Sequence, residues 1–367
     1  MRLCPPRSFA RLSAALLLGV SAPVLAQSAP SPNAPPPPQN RMAYPAPARA
    51  ASDMQAVLAQ HASLGAQPIE LLTPVKARIQ PSAADAARAV MRRQGMSTAP
   101  DPAVTTQELP YGADPMQYAR IYKPVAAAGA GPLPVVVYYH GGGWVIADIN
   151  TYDATPRLLS KQLNAIVVSV EYRHAPEAKF PAQHDDAAAA YGWVLQNAAS
   201  WGGDPQRIAT AGESAGGNLA VATAIFARDN NLAMPVHILA VYPIANSSMT
   251  LPSRRDSGAA KPLNTPMLTW FGHYYSTTMQ DQMDPRINLV GANLRGLPPT
   301  TIVNAQIDPL RSDGETLATA MRNAGDRVEQ RTFPGVTHEF FGMGKVVRGA
   351  YDANEYAIAR LRTAFNK

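Results

Sequence analysis

Residues 208–221 read IATAGESAGGNLAV, and this stretch decides the fold of the chain. An apolar run suited to a strand (208–211) leads into Gly212-Glu213-Ser214-Ala215-Gly216, and small residues suited to a helix follow. A serine on a sharp strand-to-helix turn exposes its hydroxyl, and the glycines on either side prevent clashes with neighbouring elements. An ordinary glycine-rich loop is the alternative. The strand before the motif and the helix after it favour a nucleophilic serine at position 214.

The sequence on both sides of this stretch alternates between apolar runs and helical patterns. Apolar runs that are separated by helices predict an α/β fold with a mainly parallel sheet covered on both faces. The stretch 246–282 does not follow the alternation, and we expect it near the carboxyl ends of the strands, where open α/β sheets bind ligands. Two helical patterns precede the first strand, around 54–64 and 83–91. The expected strands are 104–109, 117–123, 134–139, 165–170, 208–211, 236–242, 300–304 and 327–333, and the expected helices among them are 154–163, 182–196, 217–228, 314–323 and 351–365.

A second motif, His140-Gly141-Gly142-Gly143-Trp144, directly follows the apolar strand 134–139. Three glycines let the backbone turn tightly and direct N–H groups into a cleft, where they can stabilise the oxyanion of a tetrahedral intermediate. The alternative is a phosphate-binding turn, but the G-x-G-x-x-G spacing and the Walker lysine are both missing. His140 follows a strand, and we expect it to order the glycine loop.

A serine nucleophile needs a base, and three histidines follow Ser214 in the chain: His237, His273 and His338. His237 opens an apolar strand, where a structural histidine is the simpler interpretation. His273 lies in the irregular stretch and is expected at the surface or in a pocket. His338 follows the last predicted strand, in a loop position suited to a base.

The residue that orients this base should lie between the serine and the histidine in the chain. Asp308 ends the strand TTIVNAQI and is the predicted acid. Its competitors Asp313 and Glu315 lie in the following helix, where we expect charges to be exposed to solvent. The residues therefore predict Ser214, Asp308 and His338 as the catalytic set.

The N-terminal segment predicts export. Arg2, Arg7 and Arg11 precede an apolar run at 12–20, and Val24-Leu25-Ala26 forms a cleavage site before Gln27, which is the layout of a signal peptide. The alternatives are a membrane anchor and a mobile tail, but the apolar run is shorter than the ~20 residues that span a bilayer. Residues 27–50 are rich in proline and alanine and predict a spacer. We expect a periplasmic or secreted enzyme without a stable membrane anchor.

Composition excludes several classes of protein. The chain has 367 residues, of which 46% are hydrophobic and 16% charged, so wholesale disorder and a charge-rich coiled coil are excluded. Its single cysteine excludes a disulfide framework and a cysteine-rich zinc site. The net charge of +6 first suggests nucleic acid or an anionic membrane as a partner, but the three arginines of the signal account for half of it. We therefore expect no nucleic-acid partner.

The motifs together resemble the bacterial hormone-sensitive-lipase-like (family IV) esterases of the α/β-hydrolase superfamily. The resemblance runs from about residue 55 to the C-terminus. It rests on HGGGW (140–144), EYRHAPEAKFPA (171–182), GESAGGN (212–218), LPP (297–299), DPLRSDGE (308–315) and PGVTHEF (334–340). It implies an eight-stranded, mostly parallel sheet, with a catalytic domain over 51–367 and a helical cap from about 51–100 and 246–282.

By this resemblance, the oxyanion donors would be the backbone N–H groups of Gly142, Gly143 and Ala215. The chain departs from the family pattern at two positions. Glu213 stands where aspartate is more frequent, which should not alter the chemistry, and Ala147 replaces a glycine, which leaves the path of that loop open.

We therefore expect a serine carboxylesterase that acts on short- to medium-chain esters, with no metal and no organic cofactor. An amidase, peptidase or lactonase on the same scaffold is an alternative, because acyl transfer uses the same groups. A binding protein that lost turnover is another, and the complete triad argues against it. The sequence leaves the physiological ester and the oligomeric state open, a homodimer included.

Overall fold

The structure is a computed structural model that describes residues 48–125 and 131–366. The predicted signal peptide (1–26) and nearly all of the spacer (27–50) lie outside these residues. The strands are β1 (Val104–Pro110), β2 (Tyr118–Pro124), β3 (Leu133–Tyr139), β4 (Ile166–Val170), β5 (Gly203–Glu213), β6 (Ile238–Val241), β7 (Thr300–Ile307) and β8 (Val328–Thr337). The helices are α1 (Ser52–Ser63), α2 (Pro74–Arg78), α3 (Ala83–Arg93), α4 (Ala154–Leu163), α5 (Ala182–Asn197), α6 (Ala215–Asp229), α7 (Pro252–Asp256), α8 (Thr265–Tyr275), α9 (Arg311–Asn323) and α10 (Arg348–Phe365).

The eight strands form one sheet in the order β1-β2-β4-β3-β5-β6-β7-β8. Strand β2 runs antiparallel to both β1 and β4, and all other neighbours are parallel. This confirms the predicted eight-stranded, mostly parallel sheet. The carboxyl ends of β3, β5, β7 and β8 therefore lie along one edge, and the candidate site is built there.

The apolar, β-branched runs form strands because both faces of the sheet are covered. In β3, Val135, Val137 and Tyr139 join the hydrophobic core on one face, while Val136 and Tyr138 join the core on the other. All five residues of β4 are buried. A strand that is apolar throughout is stable only in such a two-sided environment.

The two helical patterns before the first strand are confirmed as α1 and α3. Helix α3 begins at a capping box, in which the Ser82 hydroxyl accepts a hydrogen bond from the Asp85 N–H while the Asp85 carboxylate accepts one from the Ser82 N–H. Met54 and Val57 of α1 are buried, whereas Leu64, the last residue of the predicted pattern, is exposed just beyond the end of α1.

The irregular stretch 246–282 contains helices α7 and α8. The Asn264 side chain caps α8 by accepting a hydrogen bond from the Met267 N–H, and Trp270 of α8 is fully buried. The Trp270 indole donates a 2.8 Å hydrogen bond to the Leu72 carbonyl, so the two segments predicted to form the cap contact each other. Among the described residues, no helix is long and apolar enough to cross a membrane.

Candidate active site

Ser214 lies on the turn between β5 and α6, with backbone angles φ 58° and ψ −117°. This conformation is strained for a residue with a side chain and costs about 1–3 kcal/mol. The surroundings leave no room for side chains at the flanking glycines. A Cβ on Gly216 would lie 2.0 Å from the Tyr139 carbonyl oxygen, and one on Gly212 would lie 2.1 Å from the Gly216 carbonyl oxygen. The G-x-S-x-G spacing is therefore required by packing at this turn.

The structure brings Ser214, His338 and Asp308 together. His338 Nε2 lies 3.0 Å from Ser214 Oγ, and His338 Nδ1 lies 2.7 Å from Asp308 Oδ2. Asp308 follows β7 and His338 follows β8, so two adjacent parallel strands end beside the serine turn. The Leu310 N–H donates a 2.8 Å hydrogen bond to Asp308 Oδ1 and fixes the carboxylate. All three side chains are buried, with exposures of 5% or less.

The electrostatic surroundings of His338 favour its protonated form. Burial alone would lower the pKa of His338, but Asp308, through its charge and its hydrogen bond, raises it above its usual value. The carboxylates of Glu339 and Glu213 add to this effect. The site therefore stabilises an imidazolium at this position.

The glycine loop after β3 lies against the serine turn. Gly142 and Gly143 adopt φ angles of 101° and 59°, and Trp144 follows at 62°. A Cβ on Gly141 would lie 3.0 Å from the Glu213 carbonyl oxygen, which places the loop beside the residue before Ser214. Ala215 is the first residue of α6, and the N–H groups of a first helical turn have no partner within the helix. The three predicted donor residues thus lie on two adjoining segments.

Ala147 and Phe271 define the conformation and the surroundings of this loop. Ala147, where a glycine is usual, keeps a φ of 67°, so the loop holds a glycine-like conformation with an alanine in it. The Phe271 ring of α8 packs against Gly143, because a Cβ added there would lie 2.2 Å from Phe271 Cδ1. Helix α8 therefore forms one wall of the site.

His140 supports the loop, as predicted. Its ring is fully buried, Nδ1 lies 2.7 Å from the Gly141 carbonyl oxygen, and Tyr172 stacks on it at 4.3 Å. Nε2 lies 3.2 Å from Glu171 Oε1, and His174 Nε2 lies 3.0 Å from the same oxygen. Although burial opposes its charge, Glu171 has its pKa lowered to about 2 by His140 and His174. Among the described residues, these three side chains form a group whose donor atoms could hold a metal ion.

The other two histidine candidates lie outside this arrangement. His237 is buried just before β6, with Nε2 2.9 Å from Thr301 Oγ1, as expected for a structural histidine. His273 lies on an exposed position of α8. Both positions agree with the predictions.

The expectation that Asp313 is exposed to solvent is wrong. Asp313 is fully buried, accepts hydrogen bonds from the N–H groups of Ala245 and Asn246, and pairs with Arg254 at 2.9 Å. Burial raises its pKa despite these partners. Asp313 joins α9 to the segment after β6 and to α7. Its fellow competitor Glu315 is exposed, as expected.

Glu213 and Glu339 adjoin predicted catalytic residues, and the sequence did not predict their surroundings. Glu213 accepts a 2.6 Å hydrogen bond from the Tyr138 hydroxyl and another from the Tyr242 hydroxyl, and burial raises its pKa. Glu339 accepts a 2.7 Å bond from the Tyr152 hydroxyl. The available signal was their position, because each adjoins a predicted catalytic residue.

Both carboxylates also line a cavity of about 430 Å³ between α3, α4 and α10. Ser214 and His338 do not line it. The cavity therefore approaches the predicted catalytic residues from the side of the sheet where α4 and α10 pack.

Comparisons with known proteins agree with this fold. Residues 136–342 match the model of a family described by the alpha/beta hydrolase fold. The chain is 40% identical over 238 residues to carboxylesterase NlhH of Mycobacterium tuberculosis, covering 64% of this chain and 75% of that protein. It is 35% identical over 237 residues to an ethyl acetate hydrolase of Pseudomonas putida, covering 63% and 73%. Among solved structures, an esterase of Pyrobaculum calidifontis is similar with a TM-score of 0.75 and 32% identity, covering 86% of this chain and 98% of that one.

Proposed function

This chain belongs to the hormone-sensitive-lipase-like (family IV) branch of the α/β-hydrolase family and is an ester-hydrolysing enzyme, and we propose that it works through a Ser214–His338–Asp308 triad and an acyl-enzyme intermediate. The observation that carries the proposal is the continuous set of contacts from Ser214 Oγ through His338 to Asp308, at 3.0 and 2.7 Å. Hydrogen-bond distances of this size suit proton transfer from a nucleophile to its base.

In the first half of the reaction, His338 Nε2 takes the proton from Ser214 Oγ as the oxygen attacks the ester carbonyl carbon. The carbonyl oxygen becomes an oxyanion, which the N–H groups of Gly142, Gly143 and Ala215 stabilise. His338 then gives its proton to the leaving alkoxide, and the carbon–oxygen bond to the alcohol breaks. The acyl group remains on Ser214.

In the second half, water attacks the acyl-enzyme while His338 Nε2 accepts its proton and a second tetrahedral intermediate forms. As the bond between the acyl carbon and Ser214 Oγ breaks, His338 gives this proton to Ser214 Oγ, and the free acid leaves. Asp308 holds the Nδ1–H tautomer of His338 and stabilises the imidazolium in both halves. No step needs a metal or an organic cofactor.

We propose esters of short to medium acyl length as the substrates. The similarity to a relative named for ethyl acetate supports the short end of this range. The nearly complete burial of Ser214 and the Phe271 wall also favour a compact acyl group. A kinetic panel of p-nitrophenyl esters from acetate to laurate, run beside an amide analogue, measures the range and separates an esterase from an amidase.

Replacement of Ser214 by alanine tests the nucleophile. We expect Ser214→Ala to reduce p-nitrophenyl ester hydrolysis to near background, because no other group at the turn can form the acyl-enzyme. Ser248→Ala, at an exposed serine, is the matched control and should keep its activity. A fluorophosphonate probe should label Ser214 in the wild type, as read by mass spectrometry. Retention of most activity in Ser214→Ala overturns the assignment.

We propose further that residues 1–26 direct the chain out of the cytosol, so that the enzyme acts in the periplasm or outside the cell. The support is the order of the three arginines, the apolar run and the small residues before Gln27.

A further inference from the structure

Beneath the glycine loop, His140, Glu171 and His174 place three possible metal-ligand atoms close together. His140 Nε2 and His174 Nε2 lie 3.2 and 3.0 Å from Glu171 Oε1, and all the donor atoms fall within 4.8 Å of each other. His174 Nε2 is buried, and its contact with Glu171 lacks the geometry of a hydrogen bond. The nitrogen is thus held near the carboxylate without being directed at it.

The groups around these side chains resemble the surroundings of metal ligands. A ligating histidine usually donates its other ring N–H to a carbonyl, and a ligating carboxylate is itself hydrogen-bonded. His140 Nδ1 lies 2.7 Å from the Gly141 carbonyl oxygen, so Nε2 is the nitrogen that faces Glu171 Oε1. The Ile149 N–H donates a 3.0 Å hydrogen bond to Glu171 Oε2, so Oε1 is the carboxylate oxygen that faces the two histidine nitrogens.

The two nitrogen–oxygen separations are close to those around a tetrahedral ion, and the two nitrogens lie within 4.8 Å of each other. Zinc binds imidazole nitrogen and carboxylate oxygen at about 2.0–2.2 Å, so two such ligands lie about 3.3–3.5 Å apart in a tetrahedral site. The observed 3.0 and 3.2 Å separations need an outward shift of only a few tenths of an ångström. Two histidines and one carboxylate are a known zinc ligand set that leaves a fourth position for water.

We propose that His140, Glu171 and His174 bind one zinc ion, and that the ion inhibits the enzyme by holding the glycine loop through His140. The ion would enter beside His174, whose side chain is 11% exposed, whereas those of His140 and Glu171 are fully buried. His140 immediately precedes Gly141–Gly143, so a pull on its ring is transmitted to the oxyanion donors. The inhibitory part rests on the proposed function, and the binding part does not.

Calorimetric titration of the metal-free enzyme with zinc chloride in a non-coordinating buffer tests the site. We expect one zinc per chain in the wild type. His174→Asn should weaken binding at least about 100-fold, because loss of even an outer-shell partner costs about 10- to 100-fold. The matched control is His273→Asn, which removes an exposed histidine and should bind zinc as the wild type does. A wild type that binds no zinc, or equal binding by His174→Asn, overturns the site.

Kinetics test the inhibition, with each protein compared with its own zinc-free rate. We expect zinc to lower kcat more than KM in the wild type and in His273→Asn, and to leave His174→Asn uninhibited at the same concentration. Inhibition that persists in His174→Asn, or zinc binding with an unchanged kcat, overturns the inhibitory role. Because calorimetry needs no catalysis, failure of the proposed function would leave the metal result readable.

A measurement on the wild type alone covers the case in which His174→Asn does not fold. Cobalt(II) added to the metal-free enzyme should give the intense visible bands of a tetrahedral ion, and zinc should abolish them. Weak bands typical of octahedral cobalt would overturn the proposed geometry.

Discussion

At the scale of single residues, two carboxylates lie near the proposed catalytic histidine, His338. Glu213 precedes Ser214 and Glu339 follows His338, and both carboxylates contribute to raising the pKa of His338. Three tyrosine hydroxyls from separate parts of the chain donate hydrogen bonds to these carboxylates and hold them in place. The base must be neutral to accept the serine proton, so a raised pKa moves the onset of activity to higher pH.

Glu339→Gln should move the acidic limb of the kcat/KM profile to lower pH. The carboxylate stabilises the imidazolium, so its removal lowers the pKa of His338 and the neutral base appears at lower pH. Glutamine can still accept the Tyr152 hydrogen bond. The measurement is a pH profile with p-nitrophenyl butyrate. Glu355→Gln removes the same charge from the same cavity and should leave the limb in place. A limb that stays put in Glu339→Gln contradicts this electrostatic account.

Asp308→Asn should lower kcat by about 10⁴-fold with little change in KM, because an amide selects the wrong imidazole tautomer and no longer stabilises the imidazolium. Steady-state kinetics at saturating ester, with circular dichroism to verify folding, measure the effect. Glu315 of α9 is exposed and is the other candidate for the acid, and Glu315→Gln should keep wild-type kinetics. A loss of less than tenfold in Asp308→Asn would show that another acid orients His338.

At the scale of elements, α7 is hydrogen-bonded to the loop that follows Asp308, the proposed catalytic acid. The Ser253 hydroxyl donates a 2.7 Å hydrogen bond to the Pro309 carbonyl, and Arg254 donates to the same carbonyl. Arg254 also pairs with the buried Asp313. The segment after β6 and the loop after Asp308 are therefore held by one buried ion pair.

Arg254→Leu should destabilise the fold by about 3–5 kcal/mol, because it leaves Asp313 buried without its counter-charge. Burial already raises the pKa of Asp313, and Arg254 opposes that effect, so its removal raises the pKa further. A carboxyl group with a raised pKa in the folded state costs stability as the pH rises, so the loss should be greater at pH 7 than at pH 4. Urea denaturation measures the free energy of unfolding at both pH values.

The neighbouring Arg255 gives the control for this prediction. The Arg255 side chain is 75% exposed. Among the ion pairs of the described residues, it forms one, with the partly exposed Asp256. Arg255→Leu should change the free energy of unfolding by no more than about 0.5 kcal/mol. Equal losses of unfolding free energy in the two variants would show that the buried ion pair contributes no more to stability than the exposed one.

The elements that the sequence predicted are those with a local signal. Strands β3 and β4 are continuous β-branched runs, and α4 was predicted with its observed bounds. Strand β5 begins earlier than predicted because Gly203 pairs with Leu133, and β6 is shorter because only Ile238–Val241 pairs with both neighbours. Such ends depend on partner strands that are distant in the chain.

The residues of the candidate site also differ in whether a local signal predicts their position. Ser214, His338 and Asp308 follow predicted strands, so the topology predicts that they meet. The burial of Asp313 depends on Arg254, which lies 59 residues away, and nothing in the helix sequence indicates that partner. The approach of His174 to His140 likewise depends on the parallel pairing of β3 and β4.

At the scale of the whole molecule, different helices cover the two faces of the sheet. The core on one face, with α5 and α6, includes the aromatic side chains of α8, and the core on the other includes α1, α3 and α10. The N-terminal helices are thus part of the folded domain, since the Ala51 N–H donates a 2.8 Å hydrogen bond to the Gly335 carbonyl.

We expect the exported chain to begin at Gln27 when the full sequence is expressed in a Gram-negative host. The arginines, the apolar run 12–20 and Val24-Leu25-Ala26 would direct translocation and cleavage, and Edman sequencing of the periplasmic fraction reads the new N-terminus. Leu17→Arg places a charge in the apolar run and should keep the uncleaved chain in the cytosol. Ala34→Arg places the same charge in the spacer and should not affect export. Cleavage before Gln27 would remove Cys4, the single cysteine of the chain, so iodoacetamide should add no mass to the exported chain, whereas a labelled periplasmic chain would show that cleavage does not occur.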